Sequence, residues 1–129
     1  MRISAELRRQ MLVHVLSCLP EEACGLLGGS PEEALRVIPV ENELHSPVRF
    51  CMRALDQLNA MLSIEEGGQE LVGIFHSHPT SPPVPSPTDI AEFAYPEALT
   101  LIWSPHGGDW QVRAYRIEGN LVKPVALKA

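Results

Sequence analysis

Residues 70–78 read ELVGIFHSH, the most strand-like run in the chain: an apolar stem that ends in two histidines. β-branched and aromatic residues over this length predict a strand. The nine residues that follow, PTSPPVPSP at 79–87, contain five prolines. Proline lacks a backbone N–H and locks φ, so this run is neither helix nor interior strand but a stiff, extended loop. Ser86-Pro87-Thr88-Asp89 then has the form of a helix start, with Ser86 as N-cap and proline at the first helical position. That helix is expected to run to about Tyr95, before Pro96.

Outward from this centre the chain alternates element types. Downstream, ALTLIWS (98–104), DWQVRAYRI (109–117) and NLVKPVA (120–126) read as three strands joined at GGD and GN turns. Upstream, Leu55, Leu58, Met61 and Leu62 recur at helical spacing and predict a helix over 53–64, ended by Gly67 and Gly68. The polar segment ENELHSP (41–47) is expected to be loop. Ala34–Val40 and ACGLLGGS (23–30) read as a strand pair across a Gly-Pro turn. Residues 4–18 carry Leu7, Met11, Leu12, Val15 and Leu16 at helical spacing, with Ser4 as a cap and Pro20 beyond the end. The order α-β-β-α-β-α-β-β-β predicts a mixed α/β domain, a largely sequential β-sheet flanked by helices, as one unit over 1–129.

Composition narrows the function classes. The net charge is −6 and no dense run of Lys or Arg occurs, which argues against nucleic acid or an anionic membrane surface as the main partner. No stretch reaches the roughly eighteen apolar residues that a membrane span needs. MRISAELRRQ lacks the apolar core of a signal peptide, and the cysteine count is odd (Cys18, Cys24, Cys51) with no CxxC pair. A cytoplasmic protein with buried, inert thiols is expected.

The chemistry concentrates at the end of the 70–78 strand. Side chains alternate along a strand, so His76 and His78 project to one side, about 7 Å apart by the strand rise, and can converge on one cation. Zinc accepts imidazole nitrogen and carboxylate oxygen in tetrahedral geometry. Asp89, delivered by the proline loop into the first turn of a helix, is the natural third ligand. Three protein ligands leave a fourth position open, the pattern of catalytic rather than structural zinc. Each residue also has a plainer explanation. Asp89 and Ser86 can simply cap the helix, and an HxH pair alone is weak. Their conjunction favours a metal site.

The run His76-Ser77-His78-Pro79 with Ser86 and Asp89 matches HxHPx₆SxxD without a gap. It resembles the JAMM (MPN⁺) metallopeptidases, the family of the proteasomal and endosomal zinc deubiquitinases. The resemblance implies a cytidine-deaminase-like JAMM/MPN⁺ fold and one Zn²⁺ per chain, held by His76, His78 and Asp89. It implies Glu22 as the catalytic base, within PEEACGLLG at 20–28, with the spacing to Gly25 favouring Glu22 over Glu21. Ser86 would donate to the oxyanion of the tetrahedral intermediate. Segments 41–53 and 93–98 leave no space for large ubiquitin-gripping insertions, so the chain looks like a prokaryotic single-domain member. Those act on ubiquitin-like sulfur-carrier proteins, hydrolysing an amide bond at the C-terminal Gly-Gly, a tail able to add as a strand beside the sheet edge.

Two other classes are weighed. An assembly scaffold of this fold would lack the ligands, which are all present. A zinc deaminase wants HxE followed by PCxxC, whereas HxH stands here and no CxxC occurs. A metal-dependent amidase on small molecules stays open. Surface or structural roles are expected for His14 and His106, a cross-strand packing pair for Trp103 and Trp110, and no assignment for His45.

Overall fold

The computed structural model describes residues 1–129. Its elements are α1 (Ala5–Cys18), β1 (Cys24–Ser30), β2 (Glu33–Val40), α2 (Ala54–Glu66), β3 (Glu70–Ser77), α3 (Pro87–Glu92), β4 (Leu99–His106), β5 (Asp109–Glu118) and β6 (Leu121–Val125). This is the expected order. The six strands form one sheet, β2-β1-β3-β4-β5-β6, sequential apart from the exchange of β1 and β2. All pairs are antiparallel except β3 with β4. The parallel pair is joined by a crossover through the proline loop and α3, and β2 returns to β3 past β1 by a second crossover through α2. No helix is long and apolar enough to cross a membrane.

The sheet is covered on both faces. On one, α1 lays Leu7, Met11 and Val15 over Leu27, Phe75, Leu101 and Trp103. Ser4 caps this helix, its Oγ accepting from Leu7 N at 3.2 Å. Gly25 stands opposite Phe75, where a Cβ would come within 2.4 Å of the phenyl ring, so only glycine lets that ring lie flat on the sheet. On the other face, α2 packs Ala60 and Ile64 onto Cys24, Leu26 and Ile74. Alternation along β3 puts His76 on this second face, beside Ile74.

The structure refines two expectations and corrects two. The α2 helix forms as expected, with Ala60 and Ile64 turned inward and Leu55, Leu58 and Leu62 59%, 54% and 46% exposed. Helix α3 ends at Glu92 rather than Tyr95, because Phe93 turns extended (φ −70°, ψ 126°). Phe93 and Tyr95 thereby reach the core under α2. Trp103 and Trp110 share a face but not a register position: Trp103 stands opposite Val112 and Trp110 opposite Pro105. Both pack into the core under α1 as diagonal neighbours. Of the thiols, only Cys24 is buried, its pKa pushed up to about 12 by desolvation; Cys18 is half-buried and Cys51 exposed.

Candidate metal centre

Strand β3 ends at Ser77, and both predicted histidines flank that end at the carboxyl edge of the parallel pair. Open α/β sheets place their ligands there. His76 and His78 are 1% and 3% exposed. The chain stays in register past the strand because His78 N–H donates to Trp103 O at 2.8 Å. The rings turn toward each other, and His76 Nε2, His78 Nε2 and Asp89 Oδ2 form a triangle with sides of 3.1, 3.2 and 3.1 Å. These three residues are the one group of His, Cys, Asp or Glu side chains close enough to share a metal ion.

Asp89 is both cap and cluster member. Ser86 Oγ accepts from Asp89 N–H at 3.1 Å, and Asp89 Oδ2 accepts from Ser86 N–H at 2.9 Å, a complete capping box. The same Oδ2 faces both imidazoles. Capping and metal binding therefore do not compete for this carboxylate; the cap holds it in place. The proline loop is also pinned from outside: Ser104 Oγ donates to Ser81 O, and Tyr115 Oη to Pro83 O.

His78 Nδ1 lies 2.8 Å from Pro82 O, a carbonyl that can only accept, so Nδ1 carries a proton. In neutral His78 the lone pair is then on Nε2, aimed into the triangle. A proton on His76 Nε2 can serve one edge of the triangle; a cation at its centre serves all three. His76 Nδ1 is buried without a partner, and the Phe50 ring stacks on the imidazole at 4.6 Å and 26°.

Electrostatics follow from burial and this proximity. Burial opposes ionisation of Asp89, but the two imidazoles outweigh it and hold the carboxyl far below its usual range. Desolvation lowers His76. For His78 burial also opposes the charge, yet Asp89 and the Pro82 carbonyl raise its pKa. Glu22 is 4% exposed, its Oε1 has no partner, and burial pushes its pKa up to about 7, with His78 and Asp89 as its charged neighbours. Glu21 instead turns outward to meet His45 Nδ1 at 2.8 Å. The structure thus brings Glu22, His76, His78, Ser86 and Asp89 into one neighbourhood and leaves Glu21 and His45 outside it. His14 bonds Cys24 O at 3.0 Å, and His106 lies exposed at the end of β4.

Beside the triangle opens an apolar cavity walled by Val48, Phe50, Met52, Ile74, Phe93 and Tyr95. Sequence reasoning gave Phe50 no role: it read 41–47 as loop and assigned nothing to 48–52. A lone aromatic after a polar run gives no local sign that it will cover a histidine from another element.

A family profile described as prokaryotic homologs of the JAB domain matches residues 4–118. The chain is 40% identical over 79 residues to a desampylase of Pyrococcus furiosus, a match covering 61% of this chain and 56% of that one. It thus spans little more than half the length of that relative. It is 32% identical over 120 residues to a CysO-cysteine peptidase of Mycobacterium tuberculosis, covering 89% of this chain and 81% of the relative. The solution structure of a protein from Desulfitobacterium hafniense superposes with a TM-score of 0.88 at 31% identity, over 98% of this chain and 90% of the other. The chain belongs to the prokaryotic JAB-domain family.

Proposed function

We propose that the chain is a zinc-dependent metallopeptidase that hydrolyses the amide bond after the C-terminal Gly-Gly of a ubiquitin-like or sulfur-carrier protein. The observation that carries this reading is the triangle of His76 Nε2, His78 Nε2 and Asp89 Oδ2 with sides of 3.1–3.2 Å. A tetrahedral ion about 2.0–2.1 Å from each donor would separate them by about 3.3–3.4 Å, within tenths of what is seen. Two imidazoles and a carboxylate are the donor set zinc takes in hydrolytic sites, with one position left open. The relatives named as a desampylase and a CysO-cysteine peptidase support a peptidase acting on small protein carriers. Three unpaired cysteines suit a reducing cytoplasm.

Zinc bound there supplies Lewis acidity, polarising the scissile carbonyl and bringing the pKa of water from 15.7 to about 7. The chain's own groups do the rest. Glu22 takes the proton of the attacking water and returns it to the departing amine. Such work needs a group able to hold and release a proton near neutral pH, and in the metal-free chain burial already moves Glu22 up to about 7. Ser86 Oγ accepts from Asp89 N–H, which leaves its own proton free for the carbonyl oxygen as negative charge builds on it. Pro82 O holds the His78 ring by its Nδ1–H.

The test is to incubate the zinc-loaded chain with a Gly-Gly-tailed sulfur carrier extended by one amino acid, and with simple amides. Release of that amino acid is expected for the wild type. In Glu22→Gln it should fall by about 10²–10⁴-fold while zinc stays bound. Full turnover in Glu22→Gln would remove Glu22 from the mechanism, and cleavage of the simple amides alone would replace the carrier by a small-molecule substrate.

A further inference from the structure

The segment between β2 and α2 contains a buried side chain that the proposed mechanism does not use. Asn42 is 7% exposed, and its amide makes four hydrogen bonds. Nδ2 donates to Glu22 O and to Arg49 O, both at 3.1 Å. Oδ1 accepts from Leu44 N–H and Cys51 N–H, also at 3.1 Å. Two donors and two lone pairs are the full capacity of an amide. Its orientation is fixed by the partners, since the flipped amide would set N–H against N–H and oxygen against oxygen.

One of those partners is the peptide of the base. Glu22 precedes β1, so no strand ladder fixes its carbonyl. The same segment takes hold of it on both sides: Asn42 donates to Glu22 O, and Ser46 O accepts from Glu22 N–H at 2.8 Å. The segment also reaches the other two elements of the centre. Phe50 stacks on His76, and Arg49 pairs with Glu92 on α3, the helix that carries Asp89. One loop therefore touches the elements bearing the base, an imidazole and the carboxylate, and Asn42 is the side chain that closes that loop on itself.

We propose that Asn42 is a positioning residue that sets Glu22 against the metal centre, by tying the Glu22 carbonyl to the loop over the site. This rests on Glu22 being the base. A loop that were merely a structural cover would not need its hub bonded to that peptide, and loosening it would change substrate binding or stability more than turnover.

The informative substitution is Asn42→Asp, which keeps both acceptor contacts but sets a carboxylate oxygen against the Glu22 and Arg49 carbonyls where the amide donated. With zinc loaded and the amino-acid-extended Gly-Gly carrier as substrate, kcat is expected to fall by up to about 100-fold, the cost of misplacing a catalytic group by about 1 Å. KM should change by less than about twofold and zinc per chain should be unaltered. A kcat within about twofold of wild type would overturn the proposal if Glu22→Gln is inactive in the same assay. Activity in Glu22→Gln would instead bring down the base assignment. A second measurement needs no variant. In the zinc-loaded wild type, the amides of Glu22, Leu44 and Cys51 are expected to exchange with solvent together, through one opening event. A Glu22 amide that exchanges freely while Leu44 and Cys51 stay protected would overturn the proposal even if Asn42→Asp fails to fold.

Discussion

The two faces of the sheet are built from the same strands and differ in what they bury. Under α1 lies an apolar core that runs without interruption from Ile3 through Met11, Leu27 and Phe75 to Trp103. Under α2 the core is smaller, and the buried ionisable side chains Glu22, His76 and His78 lie at its edge. Glu22 and His76 each carry a buried polar atom with no partner in the chain, and under α1 Trp103 Nε1 is one such atom within the apolar cluster. Burying such groups costs free energy unless something pairs with them. The α1 face supplies stability, and the α2 face spends part of it on a preorganised site. Substitutions on the two faces should therefore fail in different ways.

The largest effect belongs to the α2 face. Asp89→Ala removes one corner of the donor triangle and the capping box together. Hydrolysis should be abolished and zinc lost by elemental analysis; undiminished zinc would reduce Asp89 to a cap. Ser86→Ala should slow turnover by about 10²–10³-fold with zinc retained, and cost about 1 kcal/mol of stability through the lost cap. Unchanged turnover with the same loss of stability would leave capping as its whole role.

On the α1 face the outcome should invert. Met11 is fully buried, so Met11→Ala should cost about 2–5 kcal/mol in denaturant unfolding while kcat of the folded fraction is unchanged. A drop in kcat with intact stability would erase the distinction between the faces.

A subtler difference lies in pH. The folded pKa of Glu22, about 7, stands above its ordinary 4.5, so the neutral form is favoured in the folded metal-free chain. Its contribution is fully present below about pH 4.5 and is lost as pH rises through about 7. The loss is on the order of 3 kcal/mol. Glu22→Gln should flatten that slope in metal-free protein, measured by unfolding at each pH. An unchanged slope would mean that other groups carry it.

How much of this was legible in the sequence depended on whether the cause was local. His76 and His78 could be paired because alternation along a strand is local, and Ser86 with Asp89 because a capping box spans only four residues. Glu22 could be placed only through the family pattern, since nothing near residue 22 shows that β3 and α3 will arrive beside it. Helical spacing predicted α2 but not its inward side, which Ala60 and Ile64 supply while Leu55, Leu58 and Leu62 stay exposed. Asn42 and Phe50 were invisible because the contacts that tie them to the site, to the Glu22 carbonyl and to the His76 ring, are distant in sequence. A buried, fully bonded asparagine looks in sequence like any asparagine in a loop.

X-ray absorption at the zinc edge of the loaded chain would show directly what holds the metal. Two imidazole nitrogens, a carboxylate oxygen and one further light atom at about 2.0–2.2 Å, at one zinc per chain, is the expected shell. A sulfur neighbour at about 2.3 Å would place the metal on Cys18, Cys24 or Cys51 and contradict the centre described for His76, His78 and Asp89.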